Sequence, residues 1–381
     1  MTTALAAVGA NSSLAYVQET SFGVTPPSPS PKTLRALLGS KFDLTRTTFA
    51  SKEMNSARQV MALTYGNRDG KGSVPIEFSY GSYDDLLEAC MGGTWTTNVL
   101  KIGNTKRSFT VEQRWPDINL SELNTGTVIT GMSLSVKPNA VVTGSFDHQF
   151  KDQTSVQMYA DGVQTIAFDG TAKTLTRATG SFITDGFAVG DSVAITGAAT
   201  SANNTTIVIT TLTATVMTAS AATLTTDTAK TGVTLAKTLG TPAAADTNPK
   251  FDSFTGTLSE GGNPLAIVTG IDFKLAQTVA SSNVLFDPTI QQVSLGTVSV
   301  TGTLVVRFIN NAVKAKFLSG TTSDLSFQLG ATSKMYQFDM SKVCYTSATT
   351  DSVETELTQT LAFQAIYNAT DATSLMITRT P

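Results

Sequence analysis

The sequence predicts a mainly β protein of more than one packed unit. Three observations predict it: short alternating apolar and polar runs, a composition dominated by Thr, Ser, Gly and Val, and a length of 381 residues. Runs such as Gly131-Met132-Ser133-Leu134-Ser135-Val136 and Thr303-Leu304-Val305-Val306-Arg307-Phe308 send alternate side chains to opposite faces, the period of a strand. A single hydrophobic core stops growing before this length, so two or three units are expected. Charged residues are 14% of the chain and hydrophobic ones 41%. An ordinary soluble domain is ~25% charged, so much of this surface is neutral. The net charge of −3 and pI near 5.3 argue against tight wrapping of nucleic acid, which needs clustered Lys and Arg to displace counterions from phosphates.

Cys90 and Cys344 are too far apart in the chain to suggest a zinc ribbon or a disulfide framework, and two free thiols made in a reducing cytoplasm are expected. Met1 to Ala10 lacks the basic start and long apolar run of a secretory signal. No stretch reaches the ~20 apolar residues of a membrane-spanning helix.

Three stretches follow one another, with expected boundaries at 1–160, 161–246 and 247–381. The first holds both tryptophans and the only histidine, and carries a proline-rich arm, Thr25 to Pro31, expected to be extended and solvated. In the second, 86 residues contain 23 threonines, ten charges and no Tyr, Trp or Cys. Regular turn residues from Gly180 to Asp191 and β-branched runs at Thr205–Thr211 and Leu224–Leu235 suggest an inserted small β-sandwich or barrel. A disordered threonine-rich spacer is the competing reading.

The third stretch repeats the order of elements in the first. Val74–Phe78, a helix at Tyr83–Met91, Ser108–Val111 and Val142–Phe146 match Leu304–Phe308, Ala312–Leu318, Ser326–Leu329 and Leu357–Phe363. Thr130–Val136 can also be laid against Thr269–Leu275, which leaves the register of the repeat open.

Residues that could carry chemistry have simpler explanations. His148 lies in Ser145-Phe146-Asp147-His148-Gln149-Phe150, a strand pattern in which it shares a face with Phe146 and Phe150. A hydrogen-bonded structural histidine is expected there, not a catalytic base. Gly66-Asn67-Arg68-Asp69-Gly70-Lys71-Gly72-Ser73 differs from a phosphate loop in its glycine spacing, in Gly72 where Ser or Thr should touch magnesium, and in leading to a strand. A flexible hairpin loop is expected instead. Asp84 and Asp85 form an adjacent carboxylate pair, but they sit where acids offset the positive end of a helix dipole. Ser82 is expected to cap that helix, Leu86, Leu87 and Met91 to form its apolar face, and Gly92 to stop it. No catalytic, metal or cofactor site is expected.

Several segments together resemble the tail tube proteins of long, non-contractile-tailed bacteriophages. They include Ala15-Tyr16-Val17-Gln18-Glu19-Thr20-Ser21-Phe22-Gly23-Val24-Thr25-Pro26, Phe78-Ser79-Tyr80-Gly81-Ser82-Tyr83-Asp84-Asp85-Leu86-Leu87-Glu88-Ala89 with Gly92-Gly93-Thr94-Trp95, and Arg107 to Glu112. Ser133 to Pro138, Val142 to Phe146, Phe251 to Gly262, Gln359 to Ala365 and Ile377 to Pro381 complete the set, which spans everything except the insert. The resemblance implies a β-sandwich flanked by short helices whose strands join neighbours into a closed inner β-barrel around an axial channel. It implies a structural virion protein, made in the host cytoplasm and placed in the tail, which stacks in rings as a conduit for DNA. It also implies that a loop from about Thr47 to Gly72 reaches the next ring, with Lys52, Glu53, Arg58, Arg68, Asp69 and Lys71 as candidate contacts. The expected partners are copies of the chain, the tip, terminator and tape-measure proteins, and DNA in passage. The insert is expected on the outside of the tube, where it could touch host surfaces. If each chain supplies two tube units, a trimer has pseudo-sixfold symmetry; a hexamer of larger single units is the alternative, and a surface-binding adhesin is the alternative function.

Overall fold

The structure is a computed structural model that describes residues 6–381 except 27–28, 55, 119, 158–164, 186, 221–223, 238, 240–241, 266, 310, 332 and 352–356. Antiparallel strands dominate the described residues and form two sheets, one of seventeen strands and one of seven. Two short helices accompany them: α1 (Asp84–Met91) and α2 (Ala312–Ser319).

The large sheet uses one pairing order twice. Ser13–Gln18, Phe109–Trp115, Leu120–Val136, Thr143–Phe150, Leu63–Glu77 and Lys41–Ala50 are successive antiparallel neighbours. Gly256–Glu260, Ser323–Leu329, Met335–Asp351, Thr358–Ala365, Gln292–Arg307 and Val268–Ser282 repeat that order. The irregularities recur as well. Each 17-residue strand shifts register against its following neighbour, between Ile129 and Gly131 in one and between Tyr345 and Ser347 in the other. Bulges let a strand bend from one sheet layer into another. Here the first half of each long strand pairs with Phe109–Trp115 or Ser323–Leu329, and the second half with Thr143–Phe150 or Thr358–Ala365.

One hydrophobic core runs through both parts. The Phe78 ring lies 5.7 Å from Phe251, 5.5 Å from Tyr336 and 6.3 Å from Phe338, so an aromatic side chain of the first part packs on the second. Such rings bury large apolar areas and add edge and offset-stacking interactions. Within the second part Phe327 stacks on Phe338 at 4.6 Å.

Helix α1 presents Leu86, Leu87 and Met91 to this core, all buried, and stops at Gly92, whose φ of 60° is left-handed. Helix α2 ends the same way at Gly320, with φ 69°, but buries only Val313 among its described residues. The expected Ser82 cap is not present. Tyr83 holds the N-cap position without a side-chain bond, and the Ser82 hydroxyl is occupied by Ser79 at 2.6 Å and Arg35 at 3.2 Å.

Gly66 to Ser73 is not the expected flexible loop. These residues lie inside the strand Leu63–Glu77, paired on one side with Lys41–Ala50 and from Gly70 onward with Thr143–Phe150 on the other. Their glycines answer to close packing. A Cβ on Gly72 would sit 1.8 Å from the Lys41 carbonyl oxygen, and one on Gly70 2.4 Å from the Phe150 ring.

Residues 165–237 build the second sheet, in the order Asp227–Thr231, Thr165–Asp169, Thr174–Arg177, Val216–Ala219, Thr206–Leu212, Ser192–Thr196, Thr234–Lys237. It has its own core, with Ile166, Leu175, Val193, Met217 and Leu235 buried. Apolar alternation, not threonine content, decides against the disordered spacer. The chain then returns to the first part: Leu239 packs on Leu123 and donates its N–H to Glu112 at 3.0 Å, Ala243 bridges to Lys32, and Asp246 pairs with Arg35 at 2.9 Å.

Candidate functional site: an open-edged sheet and its hairpins

Eight strands form a continuous antiparallel layer across both parts. The order is Lys41–Ala50, Leu63–Glu77, Thr143–Phe150, Leu120–Val136, Val268–Ser282, Gln292–Arg307, Thr358–Ala365, Met335–Asp351. The joint between the parts is Val136 opposite Ile271 through Gly131 opposite Ala276. Thr130–Val136 and Thr269–Leu275, whose likeness left the repeat's register open, are therefore paired neighbours and not equivalents.

Strand alternation gives the layer two different faces. Phe42, Val74, Phe146, Leu134, Phe273, Leu304 and Leu361 point into the core. The opposite face carries small polar residues, including a Ser133–Ser145 hydroxyl pair at 2.9 Å and Ser135 donating to Asp272 at 2.6 Å. Its charges are mixed: Lys41, Lys71, Lys274, Arg307 and Lys342 against Asp43, Asp69, Glu77, Asp147, Asp272 and Asp351. Lys71 and Asp69 already pair at 2.6 Å, and Gln149 donates to Asp69 at 2.9 Å.

The layer has two open edges. Among the described residues, Lys41–Ala50 pairs only with Leu63–Glu77. Among the described residues, the last ones of Met335–Asp351 pair only with Thr358–Ala365, because Ser323–Leu329 covers the other side no further than Val343. Open edges present a row of unpaired N–H and C=O groups and bind other strands readily.

The candidate inter-ring residues separate into two groups. Lys52, Glu53 and Arg58 are exposed in the connection 51–62 at the tip of the first hairpin. Asp69 and Lys71 belong to the sheet, and Arg68 pairs with Asp152 at 2.8 Å while its N–H donates to the Pro288 carbonyl at 2.8 Å. The feature that charge-based reasoning missed is apolar. Met54 and Met61 are 102% and 61% exposed in the first hairpin, and Leu285 and Phe286 are 84% and 103% exposed between the equivalent strands of the second. Exposed apolar groups of this size mark contact surfaces.

The carboxylates of α1 tie parts of the chain together. Asp85 accepts from Tyr16 at 3.1 Å and Lys32 at 2.5 Å, while Asp84 accepts from Tyr336 and Arg379. A cleft of about 530 Å³ beside them is lined by Tyr16, Lys32, Asp84, Asp85, Arg379, Trp95 and Glu88. Glu88 in turn pairs with Arg107 at 3.2 Å. His148 is buried as expected and hydrogen-bonds the Phe146 backbone, while Nε2 has no hydrogen-bond partner among the described residues. Burial pushes its pKa down to about 4. Burial likewise pushes the Cys90 thiol up, away from thiolate chemistry. Among the described residues no group of three or more His, Cys, Asp and Glu is placed to hold a metal ion, and no helix is long and apolar enough to cross a membrane.

A family model described as phage tail tube protein matches residues 9–365, through both parts and the intervening sheet. The chain belongs to the phage tail tube family. That makes it a structural protein of the virion tail. No curated protein matches the sequence.

Proposed function

We propose that the chain is the tail tube subunit of a long-tailed phage, which closes into rings that stack as the conduit for DNA during ejection, and that it performs no catalysis. The observation that carries this reading is the eight-stranded layer. Closing it edge to edge removes the exposed strand edges and turns its polar face toward an enclosed space. A lining with five basic and six acidic residues is near neutral, and DNA slides past it without the counterion release that holds phosphates on strongly basic surfaces.

The doubled pairing order supports three chains per ring, each filling two of six positions, because closed cyclic symmetry fixes the number of copies around the axis. The apolar hairpin tips, with Lys52, Glu53 and Arg58 beside them, fit contacts between successive rings. Tip, terminator and tape-measure proteins are the remaining tail partners this reading implies. The separately cored sheet of 165–237 fits a decoration on the outer wall, open to host surfaces. We place the end of that module before Leu239, since Leu239 to Asp246 engage Glu112, Lys32 and Arg35 of the first part.

Cryo-electron microscopy of assembled tubes, reconstructed without symmetry above threefold, tests the reading. Three chains per ring with the layer lining the channel are expected. Six chains per ring would overturn the trimer, and a purified protein that never forms rings or tubes would overturn the conduit.

A further inference from the structure

The repeat is close enough to transfer a register from inside the chain to the contact between chains. Phe42 stands opposite Gly72 and Phe273 opposite Gly302. Both hairpins then shift register at the same place, after Arg46 and after Gln277, where Gly66 and Gly296 fall at matching positions. The long strands match through their bulges, which pairs Ser135 with Asp351 and Gly131 with Ser347 as equivalents.

Inside the chain, the second half of Leu120–Val136 is covered by Val268–Ser282, with Ser135 opposite Asp272 and Met132 opposite Leu275. The equivalent stretch of the second part, Ser347–Asp351, is one open edge of the layer. The strand equivalent to Val268–Ser282 is Lys41–Ala50, the other open edge. We infer that the ring closes by antiparallel pairing of these two edges in adjacent copies, in the register of the internal joint: Lys41 opposite Asp351, Asp43 opposite Thr349, Leu44 opposite Ala348 and Thr45 opposite Ser347.

This inference rests on the ring reading and adds to it which two edges meet and in what register. The side chains fit the register. Where the internal joint has Ser135 donating to Asp272, the new joint sets the lysine of one copy against the aspartate of the next. Among the described residues neither Lys41 nor Asp351 has an ion-pair partner within its own chain, and opposite charges directly across an antiparallel pair are favourable where like charges are not. On the core side, Leu44 and Ala348 are each only partly covered and lie at the ends of the hydrophobic core, so the joint would make that core continuous from copy to copy. A contact that joins two different edges is heterologous and closes only as a ring.

The test uses cysteine pairs and charge reversals in the full chain carrying Cys344→Ser. Asp43→Cys with Thr349→Cys places the two residues directly opposite, within disulfide reach. Oxidised tubes should give covalent oligomers on a non-reducing gel, while Lys41→Cys with Ser347→Cys, four positions out of register, should not. Lys41→Asp and Asp351→Lys should each lower tube yield several-fold by sedimentation, and the double reversal should restore it. All four cysteine sites are exposed, and unchanged thermal melting of each variant's free subunit separates an assembly defect from misfolding. Tubes that form without the in-register cross-link overturn the pairing alone. A parent chain that stays monomeric overturns the ring reading and this pairing with it.

Discussion

His148 and Phe363 occupy equivalent places in the repeated pairing: His148 lies opposite Gly72 and Phe363 opposite Gly302. His148 packs as an aromatic ring, 4.4 Å from Phe42, and is 3% exposed with Nε2 unpartnered. The lone histidine fills a slot that its repeat fills with phenylalanine.

A pH dependence follows from that burial. The His148 pKa falls from 6.5 to about 4 because the charged ring would lose its water. Above pH 6.5 the residue is neutral whether the chain is folded or not. Between 6.5 and 4 the unfolded chain takes up a proton that the folded chain excludes, so stability falls as the pH drops through this window. The loss is about 3 kcal/mol by the bottom of the window. His148→Phe should keep or raise stability at neutral pH and remove this component. Urea unfolding of the free subunit at a series of pH values checks it, and parallel pH profiles for the two proteins would refute it.

Gly72 and Gly302 should resist any side chain. A Cβ on Gly302 would lie 2.4 Å from the Asp272 carbonyl oxygen and 2.5 Å from Phe363, matching the Gly72 clash with Lys41 and His148. Gly72→Ala and Gly302→Ala should each cost about 1–3 kcal/mol, as overpacking does. Gly9→Ala, with nothing within 4 Å, should be neutral. The comparison is read from melting temperatures, and two neutral strand variants would show that the backbone gives way.

These same glycines explain how much was legible in the sequence. Alternation at Gly131–Val136 and Thr303–Phe308 correctly marked strands, and the match of Val74–Phe78 to Leu304–Phe308 is in the register that the pairing gives. Ser108–Val111 was set against Ser326–Leu329, four residues out of register, because a serine before alternating residues is too common to anchor an alignment. Gly66, Gly70 and Gly72 carried the composition of a loop, yet they mark places where two backbones or a ring come close. Composition cannot distinguish those causes, since glycine serves both. The open edges left no local signal at all: Lys41 and Asp351 become notable only once the pairing order assigns their strands to opposite ends of one layer.

Leu86 lies on the buried face of α1 at 4% exposure, and Leu87 at 0%. Leu86→Ala should destabilise the subunit by about 2–5 kcal/mol, the usual cost of truncating a core leucine. The loss should also weaken the link between the two parts, since α1 reaches Tyr336 and Arg379 through Asp84. Calorimetry of the unassembled subunit measures it, and an unchanged melting temperature would contradict the packing described for the helix.

The sheet of 165–237 should be removable without loss of tube assembly, provided that the cut respects where the chain rejoins the first part. The core of that sheet shares no residue with the main one. Its two ends leave from the same strand: Gln157 pairs with Leu120, and Leu239 packs on Leu123. A short Gly/Ser linker replacing residues 162–237 therefore has little distance to cover, and longer linkers would add only slowly to the closure cost. Extending the deletion to 245 is a different experiment. It removes Leu239, whose N–H is one of the donors to the fully buried Glu112 carboxylate, and Ala243, which bridges to Lys32. Removing one donor leaves a buried charge short of a hydrogen bond, at a cost of about 1–3 kcal/mol or more. The shorter deletion should melt near the temperature of the intact subunit and form tubes of narrower outer diameter in negative stain; the longer one should melt lower. If the shorter deletion stays soluble and folded but forms no tubes, the module takes part in assembly and is not a decoration.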